Sequence, residues 1–167
     1  MADKIYRVNM SDLTSTIEDV PEAWAGLGGR GLTSTIVAAE VPPTCHPLGE
    51  NNKIVFAPGL LAGTTAANSG RLSVGSKSPL TGGIKESNAG GTAAQFFARL
   101  GIKALVVEGK PEKDVLYCIN VKKDGVEISE VPELKGKGNF DTVNAVMAKQ
   151  GEETAVISIR PAGEMKM

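Results

Sequence analysis

The hydrophobic positions at the start of the chain alternate with a period of two. In residues 4–10 (KIYRVNM), Tyr6 and Val8 fall on one face and the intervening side chains on the other. Residues 15–20 (STIEDV) form a second short segment of strand character. The turn formers Ser11-Asp12 lie between the two segments, so the pattern predicts an opening β-hairpin.

Six more segments have the apolar runs or the alternation that predict strands. Lys53–Ala57 is apolar after its lysine, which is typical of a strand buried on both faces. Lys123-Asp124-Gly125 separates two of the segments, and Asp-Gly is a strong signal for a hairpin turn. The six predicted strands are residues 53–57, 71–77, 103–108, 115–121, 126–131 and 154–159.

Helical patterns predict four helices. A short one begins at Pro21, because proline suits the first helical turn. The helix over residues 92–100 carries one apolar stripe and is followed by Gly101 as its C-terminal cap. Asn88-Ala89-Gly90-Gly91 precedes that helix, so we expect Gly90 and Gly91 at its N-terminus. The other predicted helices are residues 32–39 and 139–149, the latter with Phe140 on its apolar face.

The order of these elements indicates the fold class. Strands and helices follow one another without regular β-α-β alternation, which favours an α+β fold of mixed or antiparallel sheets with a few helices. Ser78–Gly83 is predicted to be a turn, and no internal repeat is visible. A chain of 167 residues is long enough for one domain with its own core.

Composition excludes several classes of function. The net charge of -1 and the aromatic content of 4% argue against a nucleic-acid-binding protein. Cys45 and Cys118 lie far apart, so a zinc or iron–sulfur site built by this chain alone lacks ligands. His46 beside Cys45 is a weak candidate for metal binding. The chain shows no signal peptide and no apolar run that could span a bilayer, so we expect a cytoplasmic protein without membrane partners.

Two glycine patterns resemble nucleotide-binding motifs. Gly26, Gly28 and Gly31 match G-x-G-x-x-G, but no strand precedes them, so a tight loop with close helix packing is the better interpretation. Residues 70–77 (GRLSVGSK) resemble a P-loop. Ser76 separates the second glycine from the lysine, however, and the segment alternates like a strand, which argues against a P-loop NTPase.

The most unusual stretch is Ala57–Gly91, which contains eight glycines and few long side chains. Such a stretch buries little apolar area, but it exposes backbone N–H groups that can approach a ligand closely. We interpret it as a surface that faces a phosphate-bearing cofactor. Arg71 and Asn88 are its candidate contacts; an ion pair for Arg71 and a helix cap for Asn88 are the structural alternatives.

A series of segments resembles, in order and spacing, the N-terminal domain of the aldehyde:ferredoxin oxidoreductases, which are tungsten enzymes with a bis-pterin cofactor. The resemblance extends over essentially the whole chain, and the succession from SGR to SNAGG is its most specific part. The segments are LGGRGL (27–32), VPP (41–43), HPLGENNKIVFAPGLLAGT (46–64), SGRLSVGSKSPLTGG (69–83), SNAGG (87–91) and PAGE (161–164).

The resemblance implies a domain of two β-sheets, residues 1–167, that forms a base for tungstopterin (or molybdopterin). It implies that Arg71, Asn88 and Gly90, with the neighbouring Ala89 and Gly91, bind the phosphate region of the pterin. It also makes Asn88 a candidate magnesium contact.

The resemblance also implies what the rest of such an enzyme supplies. The family carries a second pterin motif, the cysteines of a [4Fe–4S] cluster and proton-transfer residues beyond the segments matched here. We therefore expect this chain to act with the remaining domains or subunit, with ferredoxin as electron acceptor, and not to catalyse alone. A non-catalytic pterin-binding module and a partner-docking module are the alternatives, and either an unfinished or a docking face would make the isolated chain self-associate.

Overall fold

The computed structural model describes residues 3–166, and only the backbone of Arg160. It contains eight strands, four α-helices and two short 3-10 helices among these residues. The strands are β1 (Lys4–Asn9), β2 (Thr14–Asp19), β3 (Lys53–Pro58), β4 (Arg71–Lys77), β5 (Ile84–Gly90), β6 (Ile102–Glu108), β7 (Tyr117–Lys122) and β8 (Gly125–Glu130). The helices are α1 (Gly29–Glu40), α2 (Ala93–Arg99), α3 (Asn139–Gln150) and α4 (Arg160–Glu164), with 3-10 helices at Glu22–Trp24 and Pro132–Leu134.

Six strands form one mixed sheet in the order β2-β1-β6-β3-β4-β5, and β7 and β8 form a separate two-stranded sheet. The pair β1 and β6 is parallel, and the other pairs of the large sheet are antiparallel. The prediction of an α+β fold with two mixed or antiparallel sheets and a few helices is confirmed.

The core of the large sheet lies under α1. Leu32 and Ile36 of this helix are fully buried, and they cluster with inward-facing strand residues that include Val55 and Ala57. The neighbouring residue Phe56 contacts a second, smaller cluster with Ala94 of α2. Since successive strand residues point to opposite faces, α1 and α2 cover opposite faces of the sheet.

Gly75 in the middle of β4 allows α1 to lie close to the sheet. A Cβ atom at this position would lie 2.6 Å from Cβ of Thr33, a fully buried helix residue. Contacts that short do not occur between carbon atoms that are not bonded to each other, so a larger residue would push α1 away. A Cβ atom on Gly28, just before α1, would lie 2.9 Å from Leu60. Of the three glycines of the G-x-G-x-x-G pattern, only Gly28 is packed this closely, since a Cβ atom on Gly26 would meet no atom within 4 Å and one on Gly31 would lie 4.0 Å from Leu27.

A cluster of charged side chains joins the C-terminal end of α1 to the sheet. Arg7 donates to both carboxylate oxygens of Glu40, at 2.8 and 2.6 Å. Lys53 lies 2.8 Å from Glu40 and 2.5 Å from Glu108. Burial raises the pKa of Glu40, but the hydrogen bonds from Arg7 and Lys53 outweigh it and hold the pKa below its ordinary value. The charged forms therefore stabilise the folded state.

The residues divide into two compact units, one comprising the chain up to Glu112 with Val121–Val126, and the other Lys113–Asn120 with the residues from Glu127 onwards. The second half begins with the same order of elements as the first. In each, a hairpin is followed by a 3-10 helix and then by a 12-residue helix with an N-cap glycine, Gly28 or Gly138. This similarity is one of element order, and the sequence analysis did not predict it.

Three sequence predictions were wrong. Residues 154–159 alternate like a strand, yet they have no regular structure, and Ile157 and Ile159 are exposed. A strand requires a neighbour for its backbone hydrogen bonds, and no described strand pairs with this segment. Ile84–Gly90 is a strand that the sequence did not predict. Phe140 was expected on the apolar face of α3 but is 85% exposed.

The helix predicted over residues 92–100 corresponds to α2, but the expected position of Gly90 and Gly91 at its N-terminus was wrong. Asn88 and Gly90 lie in β5, and α2 begins only at Ala93. Gly101 follows the helix with a positive φ of 75°, as expected of a C-terminal cap. Gly90 and Gly91 therefore belong to a strand end and the following turn, and they do not offer a helix N-terminus to a ligand.

We predict that Gly75→Ala destabilises the protein by about 1–3 kcal/mol, because the added methyl group overlaps Thr33. Urea unfolding of both proteins measures the difference. Gly83→Ala is the matched control, since its added Cβ would lie 3.8 Å from the nearest side-chain atom. Equal stabilities of Gly75→Ala and the wild type would contradict the close approach of α1.

We predict that acid destabilises the wild type more than Glu40→Gln. The lowered pKa of Glu40 means that its stabilising contribution is complete above the unfolded-state pKa and is lost as the pH falls through the folded-state pKa. Unfolding free energies between about pH 6 and pH 3 test this. Glu22→Gln, on an exposed 3-10 helix, serves as control. The same acid dependence in the wild type and Glu40→Gln would refute the role of the cluster.

Candidate functional site

The predicted contacts Arg71, Asn88 and Gly90 lie together on the outer pair of strands. In the antiparallel register of β4 and β5, Arg71 is opposite Gly90 and Ser73 is opposite Asn88. Their side chains share the face that α1 covers farther along the strands, because Gly75 lies on the same face as Arg71 and Ser73. Strand pairing thus brings two distant sequence motifs, SGR and SNAGG, to one place.

Arg71 is held on two sides. Its Nε donates a hydrogen bond to Oδ1 of Asn88 at 2.5 Å. A Cβ atom on Gly90 would lie 3.3 Å from Nη1 of Arg71, so the absence of a side chain at Gly90 makes room for the guanidinium. Arg71 is exposed, and no carboxylate of the described residues forms an ion pair with it. Its Nη groups therefore remain available to an anion.

Asn88 connects Arg71 to the interior of the site. Its Nδ2 donates to Oγ of Ser73 at 3.1 Å and approaches Oε1 of Glu86 at 3.5 Å. Ser73 is buried, with 2% exposure. Both ends of the Asn88 amide therefore have partners in the sheet, and Asn88 is not a helix cap.

Glu86 and Arg30 complete this network. Arg30 in the first turn of α1 lies 3.1 Å from the carboxylate of Glu86, whose side chain is only 8% exposed. The hydrogen bond from Ser73 is the largest cause that lowers the pKa of Glu86, and burial opposes it. The charge of Arg30 and the hydrogen bonds from Arg30 and Asn88 lower the pKa further. The carboxylate is therefore ionised at neutral pH.

The other predicted contacts can act only through their backbones. Ala89 is opposite Leu72 and points to the other face of the sheet. Gly91 has a φ of 120°, and a Cβ built on it would meet no atom within 4 Å. Both lie at the edge of the sheet, where β5 has only one neighbour among the described strands. Half of the backbone polar groups of an edge strand are unpaired and can meet a ligand.

Sequence reasoning missed Ser73, Glu86 and Arg30 as parts of the site. The signal was available in the spacing of two residues between Arg71 and Ser73 and between Glu86 and Asn88, which places each pair on one face of a strand. It was not used because residues 84–90 were not recognised as a strand. Arg30 is brought in by α1, which sequence spacing does not reveal.

The cysteines and the histidine do not form a second site. Cys45 is in a loop and Cys118 in β7, both with free thiols, and burial raises the pKa of Cys118. Nδ1 of His46 accepts a hydrogen bond from the backbone N–H of Leu48 at 3.2 Å. Within residues 3–166, no three His, Cys, Asp or Glu side chains are grouped as metal ligands.

None of the described helices is long enough and apolar enough to cross a membrane.

Comparison with known proteins assigns the chain to a family. The family model "Aldehyde ferredoxin oxidoreductase, N-terminal domain" matches residues 5–167, and the chain therefore belongs to this family. The family resemblance predicted from the SGR and SNAGG motifs is confirmed.

The curated relatives are much longer than this chain. It is 38% identical over 164 residues to a tungsten-containing aldehyde ferredoxin oxidoreductase of Pyrococcus furiosus, a match that covers 96% of this chain and 27% of that protein. It is 39% identical over 164 residues to the protein of the same name from Thermococcus kodakarensis, with the same two coverages. The chain thus spans about a quarter of the length of these relatives.

A solved structure shares the fold. The active-site complex BamBC of benzoyl coenzyme A reductase, in complex with 1,5-dienoyl-CoA, superimposes with a TM-score of 0.81. The sequences are 28% identical, and the match covers 87% of this chain and 22% of that chain.

We predict that Ser73→Ala and Arg30→Ala each raise the pKa of Glu86, because Ser73 lowers this pKa through a hydrogen bond and Arg30 lowers it through its charge and a hydrogen bond. Carboxyl ¹³C NMR titration of the three proteins measures this pKa. Asp19 of β2, which pairs with Lys4 of β1, is an internal reference that neither change should affect. An unchanged Glu86 pKa in either variant would contradict the contribution of that residue.

Proposed function

We propose that this chain is the cofactor-base domain of an aldehyde ferredoxin oxidoreductase-like enzyme and that it binds a tungstopterin (or molybdopterin) through its phosphate region. The observation that carries the proposal is the exposed guanidinium of Arg71, fixed by Asn88 beside the side-chain-free Gly90. Membership of the family supports the choice of cofactor. Residues 1–167 would then act as one functional domain.

The residues present fit a phosphate group. An arginine presents parallel N–H donors that match two oxygens of a phosphate. Gly90 and Gly91 let a ligand approach the backbone, and Gly91 has open space around it. Oγ of Ser69, two residues before Arg71, is buried without a hydrogen-bond partner among the described residues. Such an atom is uncommon in a folded protein and supports a polar ligand or water nearby.

The structure limits how Asn88 could serve a magnesium ion. Oδ1 of Asn88 already accepts from the cationic guanidinium of Arg71, and a second cation at the same oxygen would be repelled. Nδ2 is a donor and cannot bind a cation. The main-chain carbonyl is the remaining oxygen of Asn88, and magnesium readily accepts oxygen ligands together with phosphate. We propose that this carbonyl is the magnesium contact.

In the whole enzyme, the role of this chain is to bind and orient the cofactor. When bound, tungstopterin supplies the redox centre at which an aldehyde is oxidised to a carboxylic acid. Arg71 and the backbone of Ala89, Gly90 and Gly91 hold the phosphate end of the pterin, so that its position is set by the rigid sheet. The remaining domains or a further subunit supply the [4Fe–4S] cluster that passes electrons to ferredoxin, in the cytoplasm.

We propose aldehyde oxidation, and not the conversion of another substrate, because of the names and identities of the relatives. Those named as tungsten-containing aldehyde ferredoxin oxidoreductases are 36–39% identical to this chain, whereas the BamBC complex of benzoyl coenzyme A reductase is 28% identical. The residues that would contact a substrate belong to other parts of the enzyme, since the site described here faces the phosphate end of the cofactor.

We predict that Arg71→Ala lowers the cofactor content of the enzyme by about tenfold or more, because a charge-assisted contact to phosphate is lost. The variant is made in the enzyme assembled with the domains that complete it. Pterin is then measured by fluorescence after oxidative release, and tungsten and molybdenum by mass spectrometry. The matched control is Arg99→Ala, which removes an exposed arginine from α2 on the other face of the sheet.

Equal pterin contents in Arg71→Ala and Arg99→Ala would overturn the site. If the isolated chain retains pterin in a stable complex, a module that stores or delivers cofactor is favoured over a domain that works only within the enzyme. Self-association of the isolated chain is expected both of a domain that lacks the rest of its enzyme and of a docking module, so a clean monomer would count against both.

A further inference from the structure

We propose that Glu86 is a positioning residue for Arg71. It acts through the Asn88 amide and fixes the guanidinium so that both Nη groups face the incoming phosphate. This inference rests on the proposed function, since it concerns the same site. It extends the site to residues that do not contact the cofactor, namely Glu86 with its partners Ser73 and Arg30.

The two neighbours of Asn88 fix the orientation of its amide. A carboxylate is only an acceptor, so the side of the amide that faces Glu86 must be the NH₂ group. Nε–H of Arg71 is only a donor, so the opposite side must be the oxygen. The observed geometry agrees, with Nδ2 near Glu86 and Ser73 and Oδ1 on Arg71. A rotated amide would place an NH₂ group against the guanidinium and leave the carboxylate facing an oxygen.

The fixed Asn88 amide in turn restrains the guanidinium of Arg71. A guanidinium has five N–H donors in a rigid plane. Because Nε–H is bound to Asn88 and Nη1 lies beside Gly90, the plane of the guanidinium has a defined direction. An arginine without these restraints would lose rotamer freedom when it binds phosphate, which weakens binding.

The negative charge of Glu86 is unfavourable beside a phosphate site unless the carboxylate has another role. An anion beside a phosphate site weakens phosphate binding by repulsion. Yet Glu86 is nearly buried at 8% side-chain exposure and has three polar partners. Arg30 is 76% exposed, and an exposed ion pair by itself contributes little to stability. The repulsion by Glu86 is compensated if its carboxylate aligns the amide that holds Arg71.

Positioning and simple electrostatics predict opposite results for Glu86→Ala. Removal of a nearby negative charge, taken alone, strengthens phosphate binding. Loss of a positioning contact weakens it, because Asn88 can then rotate and Arg71 is no longer held. Glu86→Gln separates the two effects, since glutamine keeps an acceptor oxygen for Asn88 but removes the charge.

The experiment uses the full chain and two measurements. The first is the hydrogen-exchange rate of the Arg71 Nε–H by NMR. The signal is identified among the five arginines by its loss in Arg71→Lys. We expect exchange about tenfold faster in Glu86→Ala and in Asn88→Ala, because the hydrogen bond that protects this proton opens. Glu86→Gln should keep the wild-type rate within about twofold.

The second measurement is the affinity for inorganic phosphate, from NMR titration of the same signal. We expect about fivefold weaker binding in Glu86→Ala, the size of one hydrogen bond, and wild-type or tighter binding in Glu86→Gln. Asp19→Ala is the matched control, because it also removes a carboxylate paired with a cation but lies on β2. Thermal unfolding checks that each variant is folded, and Glu86→Gln still tests the inference if Glu86→Ala does not fold.

The inference is overturned if Glu86→Ala leaves the exchange rate of Arg71 unchanged, or if it binds phosphate as tightly as Glu86→Gln. These outcomes differ from a failure of the proposed function. If the wild type does not bind phosphate at Arg71, the cofactor contact is wrong, while the exchange rates still decide whether Glu86 positions Arg71.

Discussion

The register between β4 and β5 is the constraint on which the site depends. It sets Ser73 opposite Asn88 and Arg71 opposite Gly90, so the hydrogen bonds among these side chains follow from backbone pairing. A shift by one residue would turn Asn88 to the other face and leave Arg71 without a partner. The same register places Gly75 opposite Glu86. The glycine that admits α1 therefore lies beside the carboxylate that Arg30 of α1 contacts.

The two ends of α1 are attached to the sheet by different means. At its N-terminal end, Arg30 and Glu86 form one pair at the sheet edge. At its C-terminal end, Glu40 joins Arg7 and Lys53, which come from two other strands. The middle of the helix is held by apolar contact with the sheet. Charged contacts at both ends with an apolar centre fix the direction of the helix across the strands, which apolar contact alone specifies poorly.

Much of this fold follows from local pattern, and the rest depends on pairing. Buried strands such as β3 and β6 were predicted because burial on both faces demands apolar runs. Strand β5 was missed because its sequence, IKESNAG, is polar and exposed; it is a strand only because β4 binds it. Residues 154–159 are the opposite case: they alternate like a strand, but no described strand pairs with them. The contacts Arg71 and Asn88 were found from motifs, whereas Glu86 and Arg30 required three-dimensional proximity.

The parallel pair of β1 and β6 has a consequence for the order of folding. β1 joins the sheet beside β6, where Lys4 is paired with Ile102, and nearly the whole first unit must be made before this contact forms. The antiparallel strands β3, β4 and β5 are neighbours in sequence and can pair over short loops. Because closure of a long loop slows folding, we expect β3–β5 to assemble early and β1 to join late. The strands that carry the site would thus be among the first parts of the protein to acquire their structure during synthesis.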